Sequence, residues 1–130
     1  MPISDENLRQ ENFAYKDLHG DDKWELWTPV RVGWTDIGAP TVTGRFHVIG
    51  RQCFIQVQVI PSTSVATVAG TSYIELPIKA AGFGGDGSMS NAVTFVAIGA
   101  CEFDVTNSRV YVPSQAATAN TLTIAGWYEV

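Results

Sequence analysis

Between Thr41 and Ile60 the chain reads TVTGRFHVIGRQCFIQVQVI, two runs in which apolar and polar residues take turns, parted by a glycine. A period of two is the repeat of a half-buried β-strand, and two such runs in tandem make an antiparallel hairpin. The register is constrained because a one-residue slip turns every side chain to the opposite face. Gathering the apolar residues on one face sets Val42, Gly44 and Phe46 opposite Val57, Ile55 and Cys53. That arrangement needs an even-numbered loop, and Ile49 suits poorly the positive φ of a two-residue type I′ turn. The sequence therefore predicts a four-residue loop from Val48 to Arg51, with Gly50 left-handed.

The opposite face of the hairpin carries Thr41, Thr43, Arg45 and His47 on one strand, and Gln52, Phe54, Gln56, Gln58 and Ile60 on the other. Gln and Thr interleaved with Phe and Ile, rather than Lys and Glu, fit a sheet face that meets another protein surface. Arg45, His47, Phe54, Gln56 and Gln58 are accordingly the expected subunit interface. The plainer alternative is a solvent-exposed face with scattered apolar residues.

Beyond the hairpin, short alternating or apolar stretches separated by Gly, Pro, Ser, Thr and Asn predict strands near residues 25–34, 71–78, 92–105, 109–112 and 121–129. AVTFVAIGACEFDV, nearly continuous in apolar or small residues, is expected to be a central strand covered on both faces. Pro77 in TSYIELPI cannot donate to a ladder, which places that end at a sheet edge. TLTIAGWYEV alternates Leu122, Ile124, Tyr128 and Val130 against Thr121, Thr123, Trp127 and Glu129, so the C-terminus is expected within a sheet. Nothing after residue 20 sustains a 3.6-residue period. The expected fold is all-β, an antiparallel β-sandwich, jelly roll or barrel over residues 23–130.

Residues 1–22 read differently. They are polar, and Leu8, Tyr15 and Leu18 share at best a thin helical stripe ending near Gly20. This segment is expected to be an arm that becomes ordered on a neighbouring subunit or another protein. Its apolar contacts would come from Leu8, Phe13, Tyr15 and Leu18, with Trp24 and Trp27 at the join to the body.

Charge supports that division. Residues 1–31 hold seven of the 13 acidic and four of the eight basic side chains, leaving ten charges for the other 99 residues. So sparse an ionic coat suits a surface partly covered by copies of itself. A net charge of −5 without any basic run argues against nucleic acid. No apolar run reaches the ~20 residues of a bilayer span, and the N-terminus lacks a signal-peptide pattern. The expectation is a soluble protein made in the cytosol, with neither membrane nor nucleic acid as partner.

Reactive constellations are hard to assemble from this sequence. Cys53 and Cys101 are too few for a disulfide framework or a tetrahedral metal site, and both share strand parity with apolar neighbours. They are read as reduced core thiols, against a bridge between them. The only histidines are His19 and His47. GFGGDG at 82–87 lacks the Lys-Ser/Thr of a phosphate loop and reads as a flexible loop. Asp21, Asp22, Asp36, Asp86 and Asp104 have no EF-hand spacing, and Glu75 and Glu102 read as outward strand residues. The reading is a non-enzyme without cofactor or metal. Trp24, Trp27, Trp34, Tyr73, Tyr111, Trp127 and Tyr128 could form a sugar-stacking platform, although aromatic residues more often pack cores.

The order W-x-P, then TGRFHVIGRQCFIQVQV, then YIELPI, a Gly-rich loop and a closing LTIAGWYEV resembles the small β-sandwich modules of tailed-bacteriophage virion proteins, found at tail-fibre ends and in head-decoration or head-fibre proteins. The likeness covers residues 24–130. It implies a jelly-roll-like sandwich that assembles as a trimer on the virion exterior and binds rather than catalyses, with no catalytic residues to carry over. A tail-fibre module normally ends a long shaft, whereas Met1 stands about two dozen residues before the sandwich. The resemblance therefore favours a capsid decoration or cement protein whose arm reaches over the major capsid protein. The alternative is a receptor-binding tip, attached to a tail protein, in which loops such as Ala81 to Asn91 touch a host glycan or protein.

Overall fold

The computed structural model describes residues 24–130, and the N-terminal segment read as an arm lies outside them. Twelve strands follow in order: β1 (Glu25–Trp27), β2 (Arg31–Val32), β3 (Thr35–Ile37), β4 (Thr41–Ile49), β5 (Gln52–Ile60), β6 (Ser64–Thr67), β7 (Tyr73–Glu75), β8 (Gly85–Asn91), β9 (Val96–Asp104), β10 (Arg109–Tyr111), β11 (Gln115–Thr118) and β12 (Leu122–Glu129). Nine of them form one antiparallel sheet in the order β1-β4-β5-β12-β8-β9-β10-β7-β2, and β11-β6-β3 form a second. The fold is all-β, and the large sheet curls into an open half-barrel.

The hairpin forms with the expected faces but in a different register. Val42 opposes Val59, Gly44 opposes Val57, Phe46 opposes Ile55 and Val48 opposes Cys53, one pair further along than the sequence suggested. The loop is two residues, Gly50 and Arg51, and only Gly50 has positive φ, at 61°. A glycine at the first central position is what a type II′ turn requires. Ile49 therefore stays in the strand, and the objection to a short loop falls away. Because the shift is by two residues, core and outer faces are unchanged.

Cys53, Ile55, Val57 and Val59 of β5 join Leu122, Ile124 and Tyr128 of β12, Met89, Cys101, Ile74 and Val110 as the buried core, with Val65 of β6 closing it from the small sheet. Tyr128 is fully buried, and its hydroxyl both donates to the Ile78 carbonyl at 2.7 Å and accepts from the Ile78 amide at 3.1 Å. A buried phenol needs such partners, and here they tie the loop after β7 to the middle of the sheet. Ser72 does the same at the other end. Its hydroxyl accepts from the Val68 amide and donates to the Gly33 carbonyl at 2.7 Å.

Four expectations are corrected. The stretch 25–34 is broken into β1 and β2, parted at Pro29, which has no amide proton to continue a ladder. Residues 92–95 are a turn rather than the start of a strand, and Cys101 is the one buried residue of β9, so the strand is not covered on both faces. The glycine-rich stretch read as a loop supplies β8, which pairs with β12 from Gly85 to Asn91. Finally, β7 lies between β10 and the two-residue β2, and Pro77 falls past its end.

Candidate assembly face

The outer face of β4, β5, β12 and β8 is built in rows by the strand registers. His47 opposes Phe54, Phe54 opposes Trp127, and Trp127 opposes Asp86. The next row runs Arg45, Gln56, Ala125 and Ser88, and the one after it Thr43, Gln58, Thr123 and Ser90. One row is largely aromatic. The other two are uncharged apart from Arg45.

At the β4 edge the side chains interlock. The ring of Trp24 lies on His47 at 4.3 Å between centroids, and His47 lies on Phe54 at 5.3 Å. The Arg45 guanidinium sits 5.0 Å from the Trp24 ring. Its Nε donates to Gln56 Oε1 at 2.7 Å, and its Nη2 reaches the same oxygen. An exposed cation–π contact contributes about 0.5–1 kcal/mol, enough with these hydrogen bonds to hold one conformer of a side chain that is otherwise mobile. His47 Nδ1 is buried and has no hydrogen-bond partner among the described residues.

Leu26 of β1 is the register partner of Arg45, and its side chain is 84% exposed. It stands at a groove of about 380 Å³ whose walls include Thr43, Arg45, Gln56, Gln58 and Thr123. The groove and its exposed leucine thus lie beside the two rows of Thr, Gln and Ser, one row away from the aromatic side chains.

All five residues expected at an interface, Arg45, His47, Phe54, Gln56 and Gln58, share this face. Trp24 packs onto it, whereas Trp27 turns inward and meets Phe46 edge-on at 6.1 Å, partly buried against the core. Leu8, Phe13, Tyr15 and Leu18 lie outside the described residues. No family model, curated protein or solved structure matches the chain. Sequence reasoning missed Leu26, Thr123 and Trp127 as members of the face. The alternation of TLTIAGWYEV already put Thr123 and Trp127 on the polar side of their strand, but only the β5–β12 pairing brings that side alongside Phe54.

Elsewhere the residues considered for chemistry are scattered. Glu75 and Glu102 are both exposed and flank β10 from opposite sides, opposite Arg109 and Tyr111. Tyr73 and Tyr111 meet edge-on at 5.4 Å, with the Arg109 guanidinium 4.2 Å from the Tyr73 ring. Asn107 donates to Asp104, which holds that carboxyl below its usual range. Among the described residues no group of His, Cys, Asp and Glu is placed to hold a metal ion, and no helix is long and apolar enough to cross a membrane.

Both cysteines are free and buried. Desolvation pushes the Cys101 thiol up to about 12 and raises that of Cys53, an effect the Tyr128 hydroxyl partly offsets. The thiolate is the reactive form, so iodoacetamide at pH 8 is expected to label neither cysteine in the folded protein and both in urea. Rapid labelling of the native protein would show that β5 or β9 opens locally. Raised thiol values also fix a sign: the unfolded chain loses these protons first, so stability is expected to fall as pH rises above about 9.

Proposed function

We propose that the protein is a non-enzymatic structural component of a tailed-bacteriophage virion, a trimeric decoration or cement protein that binds the outer capsid surface. In this reading the curled sheet and the small sheet are the two layers of a jelly-roll-like sandwich, and the N-terminal arm grips the major capsid protein. The observation that carries the reading is the aromatic and amide-rich outer face of β4, β5, β12 and β8. Four strands about 4.8 Å apart and eight residues rising ~3.3 Å each span roughly 500 Å² in plan. That is of the order of the ~800 Å² each partner buries in a standard interface. A face that stayed in water would be expected to carry Lys and Glu where this one carries Gln, Thr, Phe and Trp.

Such a protein works by repetition. Each contact adds modest buried area at a junction between shell subunits, and many copies turn that into resistance to pressure from packaged DNA. Virions purified from the source are expected to contain the chain at a copy number comparable to that of the major shell protein. A handful of copies per particle would assign it to the tail tip, and absence from particles would end the virion reading.

A further inference from the structure

The far half of the large sheet presents a different outer surface. On β10, Val110 is fully buried opposite Ile74 and Phe103, so its neighbours Arg109 and Tyr111 point outward. The registers then set two short rows across β7, β10 and β9: Tyr73, Tyr111 and Glu102 in one, and Glu75, Arg109 and Asp104 beside it. The two tyrosine rings meet at 64° with centroids 5.4 Å apart, and the Arg109 guanidinium lies 4.2 Å from the Tyr73 ring. Asp104 is fixed by Asn107, whose amide and side-chain nitrogens donate to its two carboxylate oxygens at 3.2 Å and 2.9 Å. Glu75 and Glu102 stand exposed at opposite corners.

Arg109 is held in place by stacking, and stacking on a ring face uses none of a guanidinium's N–H donors. Its Nε is buried and has no hydrogen-bond partner among the described residues. The patch thus sets donors and acceptors side by side on paired strands, which fixes their spacing before any ligand arrives. Charge selects among ligands. An anion is repelled by three carboxylates around one guanidinium. A cation belongs over a tyrosine ring and between the carboxylates, and Arg109 already holds that place. A neutral ligand that both donates and accepts hydrogen bonds, and has a C–H face to lay against an aromatic ring, is a sugar. Size agrees with this. Three strands ~4.8 Å apart and two outward residues per strand make a patch of about 10 Å by 7 Å, far below the ~800 Å² a protein partner covers.

We infer that this patch on β7, β10 and β9 is a subsite for a neutral hexose or N-acetylhexosamine residue of a glycan. Glu75 and Glu102 accept from its hydroxyls, Arg109 donates to them, and a tyrosine ring meets its C–H face. The patch lies apart from the β4–β5–β12 half, so assembly through that half leaves it open. It adds a glycan-bearing partner to a protein proposed above to bind only protein.

Proton resonances of the tyrosine rings report on the site directly. Among the methyl glycosides of glucose, galactose, mannose and N-acetylglucosamine at millimolar concentration, at least one is expected to shift the Tyr73 and Tyr111 rings saturably. Arg109→Lys keeps the charge but loses the planar fork, and Tyr111→Leu removes a ring. Each is expected to weaken that binding at least tenfold while melting close to the parent. Phe54→Glu, outside the patch, is expected to leave it unchanged. No effect from any of the glycosides overturns the inference, as does binding that both variants retain. If either variant melts well below the parent, Glu102→Gln at its exposed corner takes its place, and undiminished affinity there overturns the inference too. Glucosamine or glucuronate bound more tightly than every neutral glycoside would show that the patch selects charge, and tetralysine bound at the same rings would assign it to a basic peptide. Either result sinks the sugar reading. None of these outcomes touches where copies meet, which Phe54→Glu tests separately by sedimentation.

Discussion

Replacing Gly126 with valine is expected to abolish the folded state. Gly126 of β12 opposes Gly87 of β8, and a Cβ at position 126 would lie 2.5 Å from the Asp86 carbonyl oxygen and 2.7 Å from Gly87 Cα. Both obstacles are backbone, so no side chain can rotate away and the two strands must separate. Overpacking alone typically costs 1–3 kcal/mol. Here the loss includes ladder hydrogen bonds at the β12–β8 seam, which joins the β1-β4-β5-β12 part of the sheet to the rest. Against a total stability of about 5–15 kcal/mol, Gly126→Ala is expected to lower the melting temperature by at least 10 °C, and Gly126→Val to leave no cooperative transition. Gly50→Ala provides the contrast. Nothing lies within 4 Å of its Cβ position, so only the strain of φ 61° is added, a cost of about 1–2 kcal/mol. Thermal unfolding followed by circular dichroism measures all three, and a Gly126→Ala variant as stable as Gly50→Ala would show that β12 and β8 can relax apart.

Phe54→Glu is expected to dissociate the assembly while leaving each copy folded. Phe54 is half-buried on the outer face, with His47 on one side and Trp127 as its register partner on the other. It contributes nothing to the core cluster behind β5. Removing its ring from a copy in solution loses contacts on one side only, a cost of about 1 kcal/mol, whereas burying a carboxylate against another protein surface costs several. Sedimentation should show the monomer, and melting should fall by only a few degrees. A collapse of the melting transition would place Phe54 among the residues that hold the fold. Unchanged assembly would remove the face as the place where copies meet.

The parts of this fold that could be read in the sequence are the parts where one face is buried and the other is not. β4, β5 and β12 show that contrast directly, and their core residues, from Cys53 to Val59 and from Leu122 to Tyr128, follow the period of two. β8, in contrast, is GDGSMSN, with Met89 as its one large apolar residue. It is a strand because β12 and β9 lie on either side of it, and its glycines admit close approach where a propensity argument sees only a loop. AVTF misleads in the opposite direction. Its composition is that of a strand, but the Asn91 side chain captures the amides of Val93 and Thr94 and turns the chain. The candidate face was half legible for the same reason. Alternation gave the outer residues of the hairpin, while the rows that extend them through Thr123 and Trp127 depend on which strand lies beside β5, a fact set by long-range packing.

The central position of β12 bears on how the chain is made. Its eight residues follow every other strand in the sequence, yet they lie between β5 and β8. Until they leave the ribosome, β5 offers an open edge bordered by Val57 and Val59, and β8 has no neighbour on one side. Nascent copies crowded on one messenger would thus present complementary, unfilled strand sites to each other, the condition for one copy's β12 to insert into another. Folding of this chain should be slow, governed by long-range pairing, and its yield should fall with the rate of synthesis more steeply than its final stability suggests.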